Sequence, residues 1–169
     1  MRELFTFPNP VNEKAARTVA GLVVAATVTA LATQSAWLLW LIAAGFLLRV
    51  LAGPRLSPFG LLATRVIAPR LGPAKLVAGP PKRFAQGIGL VVSLAAAALV
   101  TADLPVVGWS LAGLLVVAAT LESVFGFCVG CAIFAGLQRI GVVPASVCEA
   151  CTDIWSSAAR EAREGASVG

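Results

Sequence analysis

Residues 15–32 read AARTVAGLVVAATVTALA, and after Thr33 and Gln34 residues 35–51 read SAWLLWLIAAGFLLRVL. Each run is close to the roughly 20 mostly apolar residues that a helix needs to cross a bilayer. Arg17 and Arg49 are their only charges, and each lies near one end of its run. The gap between the runs allows only a tight reversal, so together they predict a helical hairpin. Working outward, a second pair follows. One run spans about residues 85–101, and another begins near Val106 and continues past Thr120, with Ala102 to Pro105 between them. The chain therefore reads as an all-α integral membrane protein with four transmembrane helices in two hairpins and short interfacial helices on the cytoplasmic side. Residues 1–127 form the membrane region, including an amphipathic connection over about 52–84. Residues 128–169 form a cysteine-bearing region at the membrane edge and a C-terminal helix.

Composition agrees. Of 169 residues, 59% are hydrophobic and 12% charged, against about a quarter charged in soluble domains. Mean hydropathy is +0.90. A soluble chain this small needs more charge to cover its surface, so the solvent for much of it is the lipid bilayer. Tyrosine and histidine are absent. Any metal site must then use Cys, Asp or Glu, and any proton relay must work without imidazole. The net charge of +5 raises nucleic acid as a partner, but the basic residues lie where a membrane topology places them.

Arg2, Lys14 and Arg17 precede or open the first helix. Arg49, Arg55, Arg65, Arg70, Lys75, Lys82 and Arg83 lie at or between the hairpins, and Arg139, Arg160 and Arg163 follow the fourth helix. Neither hairpin loop holds one. The positive-inside rule then predicts a multi-pass plasma-membrane protein with both termini and the central connection in the cytoplasm. Asp103 is the only charge on the outer side, and Trp37, Trp40 and Trp109 sit where an outer aromatic belt belongs. A cleaved signal peptide ending near Ala30-Leu31-Ala32 is the rival for the first segment. Its long apolar run, followed almost at once by another, favours the hairpin.

Within the connection, Ser57-Pro58 predicts a capped helix start. Phe59, Leu62, Val66 and Ile67 recur at helical spacing beside Arg65 and Arg70, and Pro69 ends the run. This is the pattern of a helix lying in the headgroup layer. Its basic residues fix topology by snorkelling to phosphate in preference to docking a partner. Residues 79–84, GPPKRF, read as a rigid cytoplasmic lead-in to the third helix.

All four cysteines lie in two CxxC pairs, Cys128/Cys131 and Cys148/Cys151, with sixteen residues between them. Counting a span from Val106 puts the first pair at the inner membrane edge. Gly126 and Gly130 loosen the helix there. A short helix restarts near Cys131 and ends at Arg139 or Ile140, with Gly141 as its cap. Beyond Pro144, Ser146 and Glu149 form a capping box that opens a helix through Trp155 toward Arg163. Three readings compete. Four thiolates at this spacing suit a structural zinc, with an iron–sulfur cluster less favoured. Two CxxC pairs at helix N-termini suit redox dithiols, because a helix N-terminus stabilises thiolate. The third reading is cysteines with no joint role, which two matched pairs disfavour. Glu122, by position in the inner half of the fourth helix, is a proton donor to the cysteines or the partner of Arg49 in an ion pair between the hairpins.

Three stretches carry a resemblance: PKRFAQGIG at residues 81–89, LESVFGFCVGC at 121–131 and VCEAC at 147–151, with GPRLSP at 53–58 in support. Together they resemble the domain-of-unknown-function 4395 family of actinobacterial multi-spanning membrane proteins, over about residues 9–155. The resemblance implies a membrane protein of unassigned activity. Genes of the family often neighbour thioredoxin-like and rhodanese-like genes, which implies such proteins as partners. Three functions follow as expectations: a membrane component of thiol redox or sulfur transfer, a scaffold built on a four-cysteine zinc site, and a small-solute or sulfur-compound carrier. The carrier needs a polar path through the spans, and none is visible. No feature predicts an oligomeric state.

Overall fold

The computed structural model describes residues 11–55 and 57–142. Cys148, Cys151 and the helix predicted from Ser146 lie outside the described residues. The fold is all-α apart from one short pairing. Helix α1 runs Glu13–Thr33, α2 Ala36–Ala52, α3 Pro58–Leu62, α4 Gly79–Thr101, α5 Pro105–Thr120 and α6 Val129–Arg139. A π-helical turn, Leu121–Phe125, prolongs α5. Among the described residues, three helices are long and apolar enough to cross a membrane: Glu13–Thr33, Gly79–Thr101 and the continuous Pro105–Phe125. Helix α2 is apolar but shorter, at 17 residues. A two-residue strand β1 (Val11–Asn12) pairs antiparallel with β2 (Leu76–Val77), a feature the sequence does not announce.

Local chemistry explains most boundaries. Asn12 caps α1, its side-chain oxygen accepting from the Lys14 N–H at 3.0 Å. Gln34, in the left-handed region at φ 50°, closes α1, and its N–H turns back to Ala30 and Leu31. The second tight turn likewise places Asp103 at φ 58°. Helix α4 begins six residues earlier than the sequence reading. Pro80 and Pro81 occupy its first turn, where the missing N–H groups have no helical acceptor to lose. The stretch expected as a rigid lead-in is therefore helix, and Lys82 is carried into the bundle. In the connection, α3 continues as a π turn over Ala63–Ile67 and a 3-10 turn over Ala68–Leu71. Small Gly60, Ala63 and Ala68 face the protein, whereas Leu62, Val66, Arg65 and Arg70 face outward. Ser57 stands at the N-cap of α3 with Pro58 in the first turn, but its hydroxyl makes no cap bond and accepts from Arg49 instead.

Helix α4 is the spine, with its largest interfaces to α2 and α5 and a further one to α6. Small residues make these approaches possible, as expected where close backbone packing must replace a hydrophobic driving force. Gly89 lies against the Phe46 ring of α2 and has no room for a Cβ. A Cβ at Gly108 of α5 would sit 2.8 Å from the Ala96 carbonyl oxygen, and one at Gly130 of α6 would sit 2.6 Å from the Ala85 Cα. Val19, Val23, Leu39, Ile42, Phe46 and Leu115 fill the core between these contacts. Outside, Trp37, Leu41, Val91, Val106, Leu114 and Val117 are exposed. That much outward apolar surface is consistent with lipid as the solvent.

Packing at Gly108 gives a stability test. Gly108→Ala must push α5 off the α4 backbone and should cost about 1–3 kcal/mol. Gly113→Ala, with nothing within 4 Å of the new methyl, should be neutral or stabilising by about 0.5–1 kcal/mol. Denaturation midpoints of the two variants in the same detergent compare them directly.

Candidate functional site: a CxxC pair beside a buried ion pair

Several side-chain bonds gather one end of the bundle. Arg17 of α1 donates to the carbonyl oxygens of Ser123 (3.2 Å) and Val124 (2.7 Å). These are final carbonyls of the α5 extension, which no longer have helical donors. Arg83 of α4 donates to the Val50 carbonyl oxygen of α2 at 3.1 Å. Lys14 donates to the Leu71 carbonyl oxygen at 2.6 Å, and Lys75 pairs with Glu13 at 2.7 Å. The starts of α1 and α4 therefore lie with the ends of α2 and α5.

At the centre of that end, Lys82 Nζ meets Glu122 Oε1 at 2.6 Å, with the side chains only 9% and 15% exposed. The sequence reading paired Glu122 with Arg49, and the structure corrects it. Once residues 79–84 are helical, Lys82 stands one turn before Gln86 and takes the carboxylate. Arg49 instead donates from Nε to Gln86 Oε1 at 2.8 Å and from Nη1 to Ser57 Oγ at 3.3 Å. Its guanidinium lies 4.3 Å from the centre of the Phe46 ring. Lys82, Gln86 and Arg17 were not candidates from the sequence. A signal was present in Pro80-Pro81, a helix start that puts Lys82 in the first turn. There the helix dipole disfavours a cation and calls for an acidic partner.

Gly126 ends the α5 extension in the left-handed conformation, at φ 71°. Its N–H bonds the Glu122 carbonyl oxygen at 3.1 Å, and the Phe127 N–H bonds that of Leu121 at 3.1 Å. This reversal sets Cys128 at the N-cap of α6, nearer the break than the predicted restart at Cys131. Gly141, at φ 77°, follows the C-cap Ile140. Two contacts seat α6 on α4: Gly130 on Ala85, and Phe134 on Phe84 with ring centres 5.4 Å apart. Cys128 is buried, Cys131 is partly exposed, and both are free thiols.

The two sulfurs are not equivalent. A hydrogen bond from the Cys131 thiol holds Cys128 below the ordinary thiol range, and the Lys82 ammonium adds to this. Burial and Glu122 oppose the shift. Cys131 moves strongly upward because it donates that hydrogen bond, is itself buried and faces the Cys128 charge. The arrangement is a pair of unequal thiols at a helix N-terminus and beside a lysine, with Cys128 the one more readily ionised. A cavity of about 460 Å³ opens on it, lined by Cys128, Cys131, Lys82, Glu13, Phe127 and Pro81, among others. For a metal, Cys128 and Cys131 supply two ligands. Among the described residues no group of three or more Cys, Asp or Glu converges. The other half of the predicted four-cysteine set lies outside them.

Breaking the ion pair should leave a buried charge uncompensated. Lys82→Met or Glu122→Gln alone should cost about 3–5 kcal/mol. The double variant should recover most of that loss in chemical denaturation, and equal, additive losses would show that the pair carries no coupling.

No curated protein and no solved structure matches the chain. The family described as a domain of unknown function, DUF4395, matches residues 11–139, which include the whole four-helix core, the Lys82–Glu122 pair and the first CxxC. The chain belongs to the DUF4395 family.

Proposed function

We propose that the protein is a four-span membrane component of thiol redox or sulfur traffic, with Cys128 as its attacking thiolate. The observation that carries this reading is the asymmetry of the pair. Cys131 and Lys82 favour the thiolate form of Cys128, and both cysteines line an open cavity. In a disulfide exchange, the Cys128 sulfur attacks one sulfur of a partner disulfide and releases the other as thiolate. Cys131 then loses its proton and attacks Cys128, closing the Cys128–Cys131 bond and freeing the second partner sulfur. This chain loses two electrons and the Cys131 proton, and the partner disulfide takes up the electrons as its two sulfurs leave, one of them free to take the proton. Lys82 stands beside the pair and stabilises the thiolate, and Glu122 is the neighbouring group that accepts or returns the proton. A soluble thioredoxin-like or rhodanese-like protein is the partner that this chemistry suits.

Four spans in the plasma membrane, with both termini cytoplasmic, place this site at the inner face. In support, Lys14, Arg17, Arg49, Lys82 and Arg83 share one end of the bundle, while the opposite turns carry Gln34 and Asp103. The structural zinc reading remains as the second one, because Cys128 and Cys131 already provide two adjacent thiols and the sequence supplies two more. A carrier is less well supported. Among the described residues, the buried hydroxyls within the long helices, Thr27 and Ser93, bond to their own helix at Val23 and Gly89 and open no polar path.

Alkylation of Cys128 tests the redox reading. Thiolate grows as pH rises through the pKa, so a lowered pKa moves the onset of alkylation to lower pH. The midpoint should fall below 9.0 and rise in Cys131→Ala and Lys82→Met. About one zinc per chain, with thiols that react only after chelation, would establish the scaffold in its place. For the topology, a cysteine introduced at Gln34 in a cysteine-free background should label from outside intact cells, whereas labelling only after permeabilisation would invert the orientation.

A further inference from the structure

Arg49 is 4% exposed, and among the described residues no carboxylate bonds its guanidinium. Its hydrogen bonds go to two neutral acceptors, Gln86 and Ser57, and its face covers the Phe46 ring. Its Nη2 is buried and has no acceptor. A guanidinium stays charged in a protein, and a buried charge without compensation is costly. The Glu122 carboxylate bonds Lys82 and reaches Arg49 only through space. Lys82 faces both Glu122 and the Cys128 sulfur, so the unmet demand is local to Arg49: one buried Nη2 donor without an acceptor among the described residues.

Beside Arg49 is a cavity of about 230 Å³ between the start of α1, the end of α2 and the start of α4. Arg49, Lys82, Gln86, Asn12 and Thr64 supply its polar wall, and Ala16 is among the apolar residues that complete it. A water molecule's share of liquid volume is about 30 Å³, so the space suits a larger guest. Polar donors set in a mostly apolar wall are the usual build of a small-molecule site. The guest that would satisfy the open Nη2 donor is an acceptor, and the guanidinium fork suits an oxyanion.

We infer that this cavity binds a small oxyanion, a phosphate, sulfate or carboxylate group, with Arg49 as the principal donor and Gln86 holding the guanidinium in place. The group comes either from a soluble anion or from a lipid headgroup entering at the membrane edge. The site is separate from the cysteine cavity, although Lys82 lines both. It stands whether or not the cysteines cycle.

The test uses the full chain in phosphatidylcholine nanodiscs at constant ionic strength, with chloride as the control. Inorganic phosphate, sulfate and butyrate are titrated by calorimetry, and the thermal midpoint is compared between phosphatidylcholine and phosphatidylglycerol discs. At least one soluble probe should bind saturably, near one per chain, or phosphatidylglycerol should raise the midpoint. The first result identifies a soluble anion, and the second a headgroup. Arg49→Gln should weaken binding at least ten-fold or abolish the lipid effect. Should that variant fail to fold, Ala16→Leu fills the cavity without touching the guanidinium bonds, and it should give the same loss with helicity intact. Absence of both effects in the wild-type protein, an equal response to chloride, or binding undiminished in the folded variants would overturn the inference. Cys128 alkylation profiles, read in parallel, report on the thiol function independently.

Discussion

The Lys82–Glu122 ion pair is the contact around which the rest of this end is arranged. In a low-dielectric setting neither charge is tolerable alone, so the start of α4 and the end of α5 must meet. That meeting sets where α5 stops. The π-helical turn carries Glu122 toward Lys82, Gly126 reverses the chain, and Cys128 arrives at the head of α6 within the field of the same ammonium. A single electrostatic requirement thereby couples the membrane core to the thiols.

Packing makes the requirement achievable. Glycine at 89, 108 and 130 lets α2, α5 and α6 approach α4 closely enough for short polar contacts to form. Arg17 then closes the open carbonyls of the α5 extension from the neighbouring helix. In lipid, unsatisfied backbone groups cannot turn to water, so the arginine does there what solvent would do elsewhere. The same economy leaves Arg49 as the exception, a buried cation whose partners are all neutral among the described residues.

The thiol pair owes its asymmetry to position. Cys128 is an N-cap residue beside an ammonium, and Cys131, one turn on, is the donor that stabilises it. A CxxC on an exposed helix start would have the dipole but neither the lysine nor the buried carboxylate. What distinguishes this pair is the ion pair behind it.

From the sequence alone came the apolar helices and the tight turns between them, the break at Gly126, the short helix ending at Arg139 and the Cys128/Cys131 pair at its head. These follow from local properties: apolar run length, left-handed glycine positions and the spacing of cysteines. Membership of the family was legible too, from motifs that span the chain. The partner of Glu122 was not. The sequence pointed to Arg49 and not to Lys82, because the choice depended on whether residues 79–84 are helical and on which helix packs against which. Hydrophobic periodicity does not encode the rotation of one lipid-embedded helix about another, because lipid accepts any apolar face. Tertiary structure decided that Lys82, not Arg49, would neutralise Glu122 and stand beside the thiols, and that Arg49 would be left facing a cavity.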